Sequence, residues 1–256
     1  MTEKEGTFRF KQFRVRQSRC AMKVGTDGVL LGALAIVENQ ESRVASQESN
    51  RPIVKCLDLG TGTGLIALMI AQRNPEALIT AIDIDADAAG QAAENFALSP
   101  WADRLTAVCG DVRESGDDGK FDLIVCNPPF YEHSPAASSA TRDTARRTDT
   151  LTHEQLVECA SRLLVNDGRL EVIIPYATTD EFVHLGWLRG LHLVRRIDIR
   201  TKAAKPYKRS VLSLVKIEEL KNGRIEHTHS FLTLLNPDST PTDEYRELTR
   251  DFYLDK

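Results

Sequence analysis

The stretch from Ile53 to Arg73 constrains the fold more than any other. It opens with Ile53-Val54-Lys55-Cys56-Leu57-Asp58-Leu59, an apolar run of strand length. It turns through Gly60-Thr61-Gly62-Thr63-Gly64 and continues from Leu65 to about Arg73 as a helix. Glycines at such a turn let the backbone bend sharply and let a ligand approach it closely. The spacing is Gly-x-Gly-x-Gly, with Leu65 where the dinucleotide fingerprint needs its third glycine, and no Gly-Lys-Ser/Thr phosphate loop is present. Asp58, just before the turn, would repel a pyrophosphate but suits a ligand carrying an ammonium or sulfonium.

Strands and helices alternate from there. Ala77–Ile84, Leu105–Cys109, Phe121–Cys126 and Arg169–Ile174 read as strands. Ala86–Leu98, Leu151–Leu164 (capped by Thr150 or Thr152) and Asp180–Leu188 read as helices. This alternation implies right-handed crossovers and a mostly parallel sheet with helices on both faces. Leu193–Ile199 and Ser210–Ile217 are strands joined by the short basic loop Arg200–Arg209, which demands an antiparallel pair. The expected architecture is therefore α/β, with seven strands ending in an antiparallel pair. Phe8–Val15 reads as a short exposed β-ribbon, and Asp27 as the cap of a helix through Val37. Glu38–Pro52 is polar and without period, a surface loop. In the tail, Phe231–Leu235 reads as a strand and Thr242–Tyr253 as a helix. Three segments result: 1–52 with ribbon, helix and loop; 53–217 as the ligand-binding catalytic domain; and 218–256 as an extension packed on it.

At 256 residues and 41% hydrophobic content the chain can bury the core of one α/β unit. No apolar stretch approaches a bilayer span, and the N-terminus has no secretory core. The five cysteines are scattered and lack metal spacing, so a cytoplasmic setting, reduced thiols and no metal are expected. Net charge is −4, yet basic residues cluster. Six lie between Gly6 and Thr26 without an acid, among them Arg14, Arg16 and Lys23. Seven lie between Arg195 and Arg209 against Asp198 alone, among them Lys205, Lys208 and Arg209. Such blocks suit phosphate contacts, and otherwise are solvated faces.

Acids and an amide converge at the strand ends. Asp83 and Asp85 follow the second strand and Asp111 the third, where carboxylates accept ribose hydroxyls or an amino group. Taken singly, each is equally a turn residue. Asn127-Pro128-Pro129-Phe130 closes the fourth strand. An amino nitrogen on an aromatic ring is a poor nucleophile because its lone pair is delocalised. Two acceptors, the Asn127 side-chain oxygen and the Pro128 carbonyl, would draw it out of the ring plane. Phe130 would stack on the flipped base, with Tyr131 beside it. A proline-rich turn ending a strand is the plain alternative.

The order Asp58-x-Gly60-x-Gly62-x-Gly64, Asp83, Asp111, Asn127-Pro128-Pro129-Phe130 resembles the amino-methylating class I S-adenosylmethionine-dependent methyltransferases. The resemblance implies S-adenosyl-L-methionine as cofactor. Its methionine part would lie on Asp58, Gly60, Thr61, Gly62 and Gly64, its ribose on Asp83 and Ile84, its adenine on Asp111 and Val112, with Asn127 close by. Phe8-x-Phe10-x-Gln12, Met22–Gly32, Glu94–Trp101 and Lys205-Pro206-x-Lys208-Arg209 are similar to the tRNA(1)(Val) adenine-37 N6-methyltransferase family. That implies a tRNA partner, bound through its anticodon stem-loop, with Arg14, Arg16, Lys23, Lys205, Lys208, Arg209, Phe130 and Tyr131 on the substrate. Glutamine methylation of a release factor, and a non-catalytic cofactor-binding RNA module, stay open. The sequence leaves the oligomeric state undecided, with a monomer as the default.

Overall fold

The computed structural model describes residues 6–37, 54–116, 120–129, 151–218 and 225–254. The Glu38–Pro52 loop, Ile53, Phe130, Tyr131 and Thr150 lie outside the described residues.

The chain begins with an antiparallel ribbon, β1 (Thr7–Arg9) and β2 (Arg14–Arg16), and helix α1 (Thr26–Leu34). The alternating region follows as β3 (Lys55–Leu59), α2 (Leu65–Arg73), β4 (Leu78–Asp83), α3 (Ala86–Ala97), β5 (Leu105–Cys109) and β6 (Phe121–Cys126). Beyond it come α4 (His153–Leu163), β7 (Leu164–Pro175), α5 (Thr179–Leu188), β8 (Leu191–Lys202), β9 (Arg209–Lys216), β10 (Thr228–Leu235) and α6 (Asp243–Thr249). Of the two candidate caps for α4, Thr152 serves, in a reciprocal capping box with Gln155.

The main sheet has the order β10-β8-β9-β7-β6-β3-β4-β5. Every neighbouring pair is parallel except those of β9, which runs against both β7 and β8. Among the described residues the sheet thus has eight strands rather than the expected seven, and the antiparallel pair does not end it. β10 adds parallel to β8 because Leu232 and Leu234 alternate into the core, and it covers an edge that would otherwise stay unpaired.

Alternation within each strand builds two cores, one per face. Cys56, Leu123, Val125, Ile173 and Val211 pack towards α1 and α2. Leu57, Leu59, Ile124, Val172 and Leu212 pack towards α4 and α5. The ribbon is less exposed than its basic residues suggest. Phe10, Phe13 and Val15 are buried, and Phe10 stacks on Phe13 at 4.6 Å and on Tyr253 at 6.0 Å. Partial alternation identified the strands, but its apolar half needed a surface to cover, which Trp101 and Tyr253 supply. Asp27 also departs from expectation. It sits inside the first turn of α1, makes no cap and accepts from Arg209 Nε at 2.8 Å.

Candidate active site at the carboxyl ends of β3 to β6

Four parallel strands, β6-β3-β4-β5, bring their carboxyl ends to one edge, and the glycine turn crosses it. Gly60, Gly62 and Gly64 all have positive φ, at 66°, 55° and 80°. Their reasons differ. A Cβ on Gly60 or Gly62 would meet open space, and both residues line a cavity of about 200 Å³. A Cβ on Gly64 would lie 2.5 Å from the Phe96 ring. Gly60 and Gly62 are therefore open to a ligand, whereas Gly64 is a packing position at the start of α2.

Asp58 belongs to the α2 face of β3 and is fully buried, at 0% exposure. Its Oδ2 accepts from Thr61 Oγ1 at 2.7 Å and from Ala67 N, in the first turn of α2, at 3.2 Å. It serves as a cap supplied from outside the helix. Burial pushes its carboxyl up to about 7 against these two hydrogen bonds, and Asp83 adds to the rise. Oδ1 has no partner among the described residues, which suits a proton resting on this group. Asp58 and Thr61 thus shape the turn from beneath and do not line the cavity.

Asp83 does line it. Its Oδ2 accepts from Gly62 N at 2.8 Å and its Oδ1 from Asp85 N at 3.0 Å. One carboxylate fixes the turn and keeps lone pairs for a ligand. Burial raises its pKa, with the two backbone bonds opposing. Asp85 caps α3 through Asp87 N at 2.8 Å and Ala88 N at 3.4 Å. Asp111 also lines the cavity, but Arg113 Nε donates to its two oxygens at 2.9 and 2.8 Å. That hydrogen bonding holds Asp111 below the usual carboxylate range. A ligand amino group at Asp111 would share its acceptor with Arg113.

Apolar walls complete the cavity: Ile82, Ile84 and Val112, with Ala21 and Met22 from the segment after β2. Ile84 is an exposed large apolar side chain that opens into this space. Pro128 and Pro129 close the cavity on the β6 side. Just before them, Asn127 Oδ1 is buried without a partner among the described residues. A buried acceptor in that condition is costly unless something else satisfies it. Phe130 and Tyr131, expected beside it, lie outside the described residues.

The donor set fits a sulfonium nucleoside. Backbone turned towards open space, lone pairs left on Asp83, apolar side chains for a planar ring and, next to Pro128, an acceptor without a partner among the described residues meet in one place. Residues 44–182 match the family described as Methyltransferase small domain. A relative from Bacteroides fragilis is 40% identical, the match covering 96% of this chain and 97% of that one. It is named tRNA1(Val) (adenine(37)-N6)-methyltransferase, as is a Photorhabdus laumondii protein at 40% identity over 96% of this chain and 95% of its own. The chain belongs to this methyltransferase family. Its fold is shared with a protein described as a predicted O-methyltransferase from Agrobacterium tumefaciens, at TM-score 0.66 and 18% identity, covering 88% of this chain and 96% of that one.

The basic residues of the methyltransferase separate into two groups. Much of the second block is consumed within the fold. Arg195 bonds Glu171, Ser213 and the Leu34 carbonyl; Arg196 pairs with Asp180 and Asp198; Arg209 pairs with Asp27. Lys205 and Lys208 are exposed and have no acidic partner among the described residues. In the first block Arg14, Arg16 and Lys23 are exposed, and Arg14 and Arg16 line a groove with Arg9 and Lys11 along the ribbon. Asp27 thus lies in contact with one predicted substrate residue, Arg209. Asn95, within the Glu94–Trp101 stretch that resembles the family, is assigned no role from the sequence and carries no charge to mark it. Its amide joins Arg16 to Thr63 of the glycine turn. Among the described residues no helix is long and apolar enough to cross a membrane, and no group of three or more His, Cys, Asp or Glu is placed to hold a metal.

Proposed function

We infer that this methyltransferase transfers a methyl group to N6 of adenine 37 in tRNA1(Val), with the anticodon stem-loop presented to Asn127 and Pro128. The observation that carries the reading is the buried Asn127 Oδ1, which has no partner among the described residues and directly precedes Pro128 and Pro129 of the cavity wall. S-adenosyl-L-methionine supplies an electrophilic methyl on a sulfonium sulfur, which needs no metal and no strong base. Gly60, Gly62, Asp83, Ile84, Asp111 and Val112 would hold this donor. Asn127 Oδ1 and the Pro128 carbonyl accept the two amino hydrogens and turn the nitrogen lone pair towards the methyl group. Alignment then does most of the work. The proton leaves after transfer, when the amine is cationic.

The relatives at 40% identity over nearly the full chain support tRNA over a release-factor glutamine. So does the cationic ribbon, because an anticodon-loop purine is unpaired and costs little to extrude. Arg14, Arg16, Lys23, Lys205, Lys208 and Arg209, with Phe130 and Tyr131, are the proposed substrate contacts. The three segments act as one unit, a monomer working in the cytoplasm. Nucleoside mass spectrometry of individual tRNAs from strains with and without the gene tests the reading. N6-methyladenosine at position 37 is expected to vanish from tRNA1(Val) alone. An unchanged tRNA, or label from the donor appearing in a release factor, overturns it.

A further inference from the structure

An exposed row of aromatic rings lies away from the cavity, near the same edge of the sheet. Tyr176 directly follows β7, and its ring is 5.6 Å from that of Tyr207 in the β8–β9 hairpin. Tyr207 is 5.4 Å from Phe231 of β10, which is 4.7 Å from His229. Guanidinium groups extend the row: Arg196 sits 5.4 Å from the Tyr176 ring centre and Arg200 5.2 Å from that of Tyr207.

This row is not core. Tyr176 is 40% exposed and Phe231 54% exposed. Phe231 alternates with the buried Leu232 and Leu234, so it points away from the α1 and α2 core. Packing therefore leaves a row of rings with Tyr207 half-buried between two exposed ones, and Arg196 beside it is already paired with Asp180 and Asp198. Lys205 and Lys208 of the same hairpin flank it, both exposed. Charge complementarity selects an anionic partner, and the rings select one with flat faces. RNA loops have both properties.

Position supports the same partner. Strands β6, β7, β9 and β8 are consecutive in the sheet. Through the register, Cys126, Val172, Leu212 and Arg196 stand level across these strands, so three strand spacings, about 14 Å, separate Arg196 from the end of β6. β9 runs antiparallel, so the hairpin carrying Tyr207 emerges at the same edge as Asn127.

We propose that Tyr176, Tyr207 and Phe231 form a stacking platform for unpaired nucleobases of the substrate RNA other than the one that is methylated. This rests on the RNA reading of the active site. The rings supply sequence-tolerant stacking, while Lys205 and Lys208 supply the phosphate contacts.

The test is binding of a hairpin RNA with the tRNA1(Val) anticodon stem-loop sequence to the full chain across a salt series, alongside methyl transfer to it. Phe231→Ala, alone and with Tyr207→Ala, is expected to weaken binding roughly tenfold or more per ring. The salt slope and affinity for the donor should stay as in the wild type. Lys205→Ala with Lys208→Ala should instead flatten the slope, by about one unit per lysine. Phe231→Tyr should retain affinity and Phe231→Leu should not. Unchanged RNA binding by the double aromatic variant overturns the platform, as does full rescue by leucine. Either result leaves the tRNA reading intact provided the wild type methylates the RNA. A wild type that neither binds nor methylates RNA overturns both.

Discussion

Asn95 grips Arg16 by both of its backbone groups. Its Oδ1 accepts from Arg16 N at 2.9 Å, and its Nδ2 donates to Arg16 O at 2.8 Å and to Thr63 O at 2.8 Å. One buried amide on α3 therefore joins the basic ribbon to the glycine turn. Asn95→Ala would leave these backbone groups without their partner, at a cost of roughly 1–3 kcal/mol. A lower melting temperature is expected, with weaker binding of both donor and tRNA. Loss of tRNA affinity alone would show that the two sites are not joined through this residue.

The two kinds of glycine should separate in experiment. Gly64→Ala drives a methyl group into Phe96 at a left-handed position, so a loss of stability is expected, read by chemical denaturation. Gly62→Ala carries only the conformational cost, roughly 1–2 kcal/mol, and places a methyl group in the cavity. Its larger effect should be on donor affinity, measured by calorimetry.

Asn127→Ala is expected to lower the rate of methyl transfer by on the order of 10²-fold or more, as for loss of an oriented group at a reacting centre. Donor affinity, measured in the same calorimeter, should change little. A variant that turns over at the wild-type rate would show that the orphaned oxygen does not meet the amine.

Asp58 makes stability depend on pH with a definite sign. Its folded pKa is raised from 3.8 to about 7. Between those values the folded chain holds a proton that the unfolded chain has released, so this group's contribution falls as pH rises through the window. Asp58→Asn removes the titration while keeping an acceptor for Ala67 N. The melting temperature of the wild type relative to this variant should therefore decline from pH 4 to pH 7. A constant difference would mean that Asp58 is ionised throughout.

Local rules made the centre of the fold readable. Positive φ at the glycine turn, apolar runs of strand length and the short Arg200–Arg209 connection each act over a few residues. The antiparallel pairing follows from that loop length alone. What stayed hidden depends on which face a side chain occupies and on partners far along the chain. Asp58 looks like a ligand residue beside a turn, but strand alternation points it under α2. Arg209 looks like a surface cation, but its partner Asp27 lies 182 residues away. The ribbon seemed exposed because the rings that cover it, Trp101 and Tyr253, belong to distant segments. β10 was legible as a strand, but its place at the edge comes from tertiary packing.

The reversed direction of β9 has a consequence for engineering. A sheet of parallel strands alone would send its returning connections to the opposite edge, far from the chemistry. One strand run backwards delivers a hairpin to the reaction side, held by its own two strands, by Tyr176 N donating to the Lys208 carbonyl, and by the Tyr207 ring against Tyr176 and Phe231. Residues 203–206 lie between these holds and line no part of the donor cavity. Under the proposed substrate contacts, this hairpin is the part to graft between relatives, with the donor cavity left as it is.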